Sequence, residues 1–139
     1  MRIVLDSNVF ISALIRDSTT RQIIVWADLD LYFPESALHS IRKYEELILK
    51  KSGITEADFY KLLEALLRHI KLVPDEEIKN NLVKAKQAME HVDPEDVLYV
   101  ATALGLEDSV VWSNDKDFEK QSLIKVLKTE DLVTLLQVR

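Results

Sequence analysis

The 139-residue chain contains no cysteine. That absence removes disulfides, thiolate nucleophiles and sulfur-ligated metals together, so any metal must be held by oxygen or imidazole, and it accords with a reducing compartment. Glycine occurs only 2 times and proline 3 times, which leaves little material for long loops. No apolar run approaches the roughly eighteen residues of a membrane span. The N-terminus enters a strand candidate without the pattern of a signal peptide, so a cytoplasmic protein is expected. Basic residues are outnumbered, with 18 Lys and Arg against 24 Asp and Glu and a net charge of -6. A broadly basic nucleic-acid-binding surface is therefore disfavoured, whereas an acidic metal centre flanked by local basic patches is compatible with this balance.

What is present is the composition of a folded domain, 47% hydrophobic and 30% charged. The length suits one core, and a single domain over residues 1–139 is expected. Ile3-Val4-Leu5 is continuously apolar, the mark of a parallel strand covered on both faces. Ser7 or Asn8 is placed to cap a helix running from Val9 to about Ile15, and a second helix is predicted over Thr19 to Ala27 with Ile23, Ile24 and Trp26 on its apolar side. Leu31-Tyr32-Phe33 is the next strand. Helical spacing then runs from Glu35 to Lys51, and again from Thr55, where Thr55 and Asp58 form a capping-box pattern. Ile70 to Val73 alternates and stops at Pro74, which suits an edge strand. Glu76 to about Glu90 is predicted as one helix with Ile78, Leu82, Ala85 and Met89 inward. A helix from Asp93 to Gly105, a strand at Val110-Val111-Trp112, a short turn at Phe118, a strand over Ile124 to Leu127 and a closing helix from Glu130 to Val138 complete the chain. Strands alternating with helices predict an α/β layered sheet.

The chemistry lies in the acids. Asp6 directly follows the first strand, where it serves equally well as a helix cap or as a ligand. Asp93 followed by Pro94 is the preferred arrangement for an N-cap and first helical residue, and Asp93 is read as a cap. Asp96, three residues on from Asp93, can reach back in a capping box, but it also falls on the side of its helix that packs on the sheet, and an ionised carboxylate there is costly without a partner. In Ser113-Asn114-Asp115-Lys116-Asp117, Ser113, Asn114 and Asp115 can each cap the turn at Phe118. A second acid at Asp117, after an apolar strand, is not explained by capping, because clustered carboxylates repel unless a cation joins them. Ligands in open α/β sheets bind beyond the carboxyl ends of strands, so Asp6, Asp96 and Asp115 are expected to meet in one crevice and hold a metal. Three acids without Cys or paired His select Mg²⁺ or Mn²⁺, ions suited to phosphodiester hydrolysis by activated water. His39, His69 and His91 share no ligand spacing and are read as surface residues. Among the cations, Lys116 and Lys120 stand beside the acids, while Arg16, Arg21, Lys43, Lys50 and Lys51 read as solvated faces.

With these residues in place the chain resembles the PIN-domain family, the nuclease fold of VapC-type toxins in toxin–antitoxin pairs. The matching stretches are Ile3-Val4-Leu5-Asp6-Ser7-Asn8, Asp93-Pro94-Glu95-Asp96 leading into Tyr99-Val100-Ala101-Thr102-Ala103-Leu104, and Trp112-Ser113-Asn114-Asp115-Lys116-Asp117-Phe118. The resemblance implies a three-layer α/β/α fold with a central, mostly parallel sheet and a metal-dependent ribonuclease with Asp6, Asp96 and Asp115 as site acids. Asn8, Ser113, Asn114, Asp117, Asp93 and Ser40 stand in supporting positions. It further implies an RNA substrate, homodimers and, for a toxin, an antitoxin partner. One position departs: where the family carries a glutamate after the second strand this chain has Ser40, with Glu35 before it and Glu45 and Glu46 more than a turn beyond. Three acids in place of four predict weaker metal binding, and leave as the alternative a PIN scaffold that binds RNA or protein without turnover. A phosphoryl-accepting Asp6 ranks below both, since Asp6-Ser7-Asn8 lacks a second acid two residues on.

Overall fold

The computed structural model describes residues 1–89 and 94–138, the last by its backbone alone. Five short strands form its frame: β1 (Arg2–Leu5), β2 (Asp30–Pro34), β3 (Ile70–Val73), β4 (Ser109–Trp112) and β5 (Lys125–Leu127). They pair in the order β3-β2-β1-β4-β5, every neighbour parallel. The helices are α1 (Ser7–Ile15), α2 (Thr19–Trp26), α3 (Leu38–Lys43), α4 (Glu45–Ser52), α5 (Glu56–Leu67), α6 (Asp75–Ile78), α7 (Leu82–Ala88), α8 (Pro94–Leu104) and α9 (Thr129–Val138). They cover both faces in a three-layer α/β/α arrangement, which is why Ile3, Val4 and Leu5 of β1 and Val111 and Trp112 of β4 are wholly buried.

Strand order decides where a site can form. From β1 the chain adds β2 and β3 on one side, then returns to place β4 and β5 on the other, so the winding reverses between β1 and β4. At such a reversal the connections diverge and leave a crevice at the carboxyl ends of the two strands. The register sets Leu5 beside Trp112, and the ladder continues past both strands as Asp6 N donates to the Trp112 carbonyl at 3.2 Å and Ser113 N to that of Leu127 at 3.0 Å. Asp6 and Ser113 thus leave adjacent strands side by side. Across their ends lies α8, packed on β1, β2 and β4. Its C-terminus fits tightly: a Cβ on Gly105 would stand 3.0 Å from the Glu77 carbonyl oxygen. Gly105→Ala should therefore lower stability by about 1–3 kcal/mol, read as a reduced urea midpoint at unchanged m-value.

Several expected boundaries shift. Helix α1 starts at Ser7, capped by Asp6 rather than by Ser7 or Asn8, because the strand ends at Leu5 and only one residue separates the two elements. The single helix expected over 35–51 is a 3₁₀ turn (Glu35–Ala37) followed by α3 and α4, which part at Tyr44 while both pack on α1. The helix expected over 76–90 is likewise divided, by a 3₁₀ turn at Lys79–Asn81. Three residues at 3₁₀ pitch add roughly 60° of rotation relative to an α-helix. Ile78, Ala85 and Met89 remain buried, but Leu82 turns outward; Glu90, with His91 and Asp93, lies outside the described residues. Trp26, expected on the apolar side of α2, is 83% exposed, since it is the last helical residue and projects past the core that covers Ile23 and Ile24. Arg21, read as a solvated cation, is instead half-buried with its Nε donating to the Ala13 carbonyl at 2.7 Å.

Candidate metal centre

Asp6 is 3% exposed at the end of the most buried strand. Its two oxygens are used differently: Oδ1 accepts from Val9 N at 2.8 Å and caps α1, while Oδ2 accepts from the Ser113 hydroxyl at 2.5 Å. Burial is the largest influence on its carboxyl, partly offset by these two hydrogen bonds and reinforced by repulsion from Asp115; together they push its pKa up to about 6.

Ser113 is the hinge of the arrangement. Fully buried, it donates to Asp6 and accepts from Asp115 N at 3.0 Å, so one hydroxyl fixes the loop leaving β4 against the residue leaving β1. Asp115 then caps the 3₁₀ turn Lys116–Lys120, its Oδ1 accepting from Asp117 N at 2.9 Å. This tight turn folds Asp117 back beside Asp115, and Phe118, wholly buried against Tyr99, anchors it. Asp96 comes from the first turn of α8. One carboxylate oxygen each from Asp96, Asp115 and Asp117 lies within 4.8 Å of the others, all three half-buried, and this is the only such group of three among the described residues.

The trio that gathers differs in one member from the one expected. Asp96 and Asp115 are brought together, Asp117 joins them, and Asp6 lies outside the group of three, near enough to Asp115 for mutual repulsion. The signal for Asp117 was available as its i+2 spacing from Asp115 in a capped turn. Asn114 turns away from the acids: its side chain accepts from Thr129 N at 2.9 Å and donates to Thr129 Oγ1 at 3.1 Å, tying the loop to the start of α9. Thr129 also accepts from Trp112 Nε1 at 3.0 Å. Asn8 is exposed on α1, and Ser40 is half-buried on α3; neither Ser40's neighbour Glu35 nor Glu45 or Glu46 belongs to the carboxylate group. Behind the acids stands Tyr99, 2% exposed; burial, ahead of a hydrogen bond with Ser7 that lowers it and the charges of Asp6, Glu95 and Asp96 that raise it, holds its phenol well above the usual range.

The donor set suits a hard divalent cation. Oxygens around Mg²⁺ at about 2.1 Å lie roughly 3–4.2 Å apart, a spacing reached from the observed one by small side-chain rotations. Carboxylates alone, without imidazole or thiolate, are the ligands of Mg²⁺ and Mn²⁺. The ammonium of Lys120 reaches the group, 3.1 Å from Asp117 Oδ1.

Comparison with known proteins agrees with this geometry. Residues 4–137 match the family described as the PIN domain. No curated protein matches the chain in sequence. Among solved structures the chain is similar in fold to a chain of VapBC2 from Rickettsia felis, a complex crystallised with a DNA fragment from its promoter, with a TM-score of 0.63 and 12% identity over 92% of this chain and 98% of that one.

Proposed function

The chain belongs to the PIN-domain family, and from that premise we propose that it is a ribonuclease dependent on Mg²⁺ or Mn²⁺. The observation that carries the proposal is the convergence of Asp96, Asp115 and Asp117 from two distant parts of the chain onto the crevice between β1 and β4. Asp96, Asp115 and Asp117 would hold the cation, with Asp6 beside them as a fourth acid whose ionisation it favours. A divalent cation supplies charge for a scissile phosphate and acidifies water.

The chain's own residues account for the rest. Ser113 holds Asp6 and the Asp115 backbone in fixed relation, so the acids are preorganised rather than gathered by the ligand. Tyr99, buried within reach of the charges of Asp6 and Asp96, is retained there as a neutral phenol. Similarity to a VapBC complex supports an antitoxin partner, and the family resemblance supports a homodimer. No helix among the described residues is long and apolar enough to cross a membrane.

Incubation of the protein with single-stranded RNA and increasing Mn²⁺ should produce cleavage that EDTA abolishes. Ser40, in the place of a family glutamate, favours a second reading, a scaffold that binds RNA without turnover. RNA left intact at saturating Mn²⁺ would select that reading over the enzyme.

A further inference from the structure

Beside the carboxylates, α7 and the loop after the 3₁₀ turn 116–120 enclose an open groove of about 420 Å³. Lys84 and Gln87 line it from α7, and Lys120, Gln121, Ser122 and Leu123 from the loop. Among the described residues no carboxylate lines it, although acids outnumber bases in the chain. Of the acids in the turn, Asp117 is engaged by Lys120 at 3.1 Å and Glu119 by Lys128 at 3.2 Å. The groove adjoins the candidate metal centre directly, because the Lys120 that lines it is the same residue whose ammonium reaches Asp117.

Its two walls are of different kinds. The loop wall is held rigid by Gln121, whose Nε2 donates to the carbonyls of Phe118 at 2.9 Å and Ile124 at 2.7 Å while its Oε1 accepts from Ile124 N at 2.9 Å. That side chain is fully used in closing the loop, and it leaves Ser122 and Leu123 facing solvent. The helical wall presents Lys84 and Gln87 one turn apart, both exposed, and among the described residues Lys84 forms no ion pair. An ammonium that no carboxylate of the described residues pairs, facing a groove that none of them lines, has its charge available for an external anion. Amide and hydroxyl donors beside one exposed leucine suit a chain of alternating phosphates and sugars.

We propose that this groove carries the backbone of single-stranded RNA to the metal centre, with Lys84 and Lys120 contacting successive phosphates, an assignment that rests on the ribonuclease reading above. Lys84 sets how the strand lies upstream of the reaction. Lys120 bridges groove and centre.

The test measures binding of a short fluorescent single-stranded RNA to the whole protein in EDTA, where cleavage is stopped, across a salt series. Lys84→Glu should weaken binding about 5- to 10-fold and reduce the slope of log K against log salt by about 1. The same charge reversal on α5, Lys61→Glu, should leave both unchanged, and thermal melting should show both variants folded. Cleavage of a dinucleotide, too short to occupy the groove, reads the metal centre of the wild type separately from the groove. Binding within twofold of wild type for Lys84→Glu, or an equal loss in Lys61→Glu, overturns the groove even if cleavage proceeds normally. Absence of dinucleotide cleavage with the Lys84→Glu binding defect intact supports the groove and removes the nuclease instead. An acidic peptide that binds in a Lys84-dependent manner, where RNA does not, also overturns it and assigns the groove to a protein partner.

Discussion

Asp6→Asn is expected to make the metal-free protein more stable at pH 7.5 while reducing RNA cleavage at least about 100-fold. The two effects have one cause. Ionised Asp6 is buried, and its pKa is raised from 3.8 to about 6. A raised carboxyl means that the folded state holds the proton more tightly than the unfolded one, so its contribution is fully favourable below pH 3.8 and is lost as pH rises through about 6. Above that, folding carries a penalty of about 3 kcal/mol from this group. Asparagine is neutral, caps a helix as well as aspartate does, and retains an oxygen for Val9 N, while its amide no longer accepts from the Ser113 hydroxyl, a loss of about 1 kcal/mol. The variant should melt roughly 4–8 °C higher in EDTA. The gain should shrink as the pH is lowered from 6 towards 4, where wild-type Asp6 becomes protonated in the fold. Equal melting temperatures across this range would show that Asp6 is not a strained acid. A higher melting temperature for the variant shows instead that the wild-type protein retains a destabilising charge because its chemistry requires one, a common relation between stability and activity.

Asp96→Asn and Asp115→Asn should each weaken Mn²⁺ binding at least about tenfold, as measured by calorimetric titration, with cleavage falling further. Both substitutions keep the side-chain shape and remove one charge from the cluster of three. In Asp115→Asn the oxygen that accepts from Asp117 N is preserved, so the turn that presents Asp117 should persist. Because Asp115 is half-buried beside other carboxylates and repels Asp6, the metal-free Asp115→Asn variant should be no less stable than wild type. A variant with normal Mn²⁺ affinity would remove its residue from the ligand set. Comparable losses from acids on α8 and on the loop after β4 would establish one shared ion, since the two segments are joined only through the fold.

The layout of the molecule was legible wherever local rules act alone. Uninterrupted apolar triplets gave buried parallel strands, and Pro74 marked the edge strand. Thr55 capped α5 with its hydroxyl accepting from Asp58 N at 3.2 Å, as its spacing from Asp58 predicts. Reading failed where packing overrides periodicity: nothing in residues 35–51 breaks a helix, yet the chain turns at Tyr44 to lay two segments on α1. Trp26 has the spacing of a core residue and is exposed, because periodicity assigns a face without saying how far the core extends along it.

The order of residue types along the chain by itself narrowed the chemistry open to this protein: without sulfur ligands or histidines at ligand spacing, and with acids set just past apolar strands, it pointed to oxygen coordination of a hard cation. It also marked Asp117 as an acid that capping alone does not require. Which carboxylates meet was decided by the tertiary structure, because the distance between Asp96 and Asp115 depends on α8 lying across the reversal between β1 and β4. The same packing buries Asp6 behind Ser113 and brings Asp117 forward through the 3₁₀ turn. Local sequence sets what a side chain can bind, and the long-range register of parallel strands sets its company.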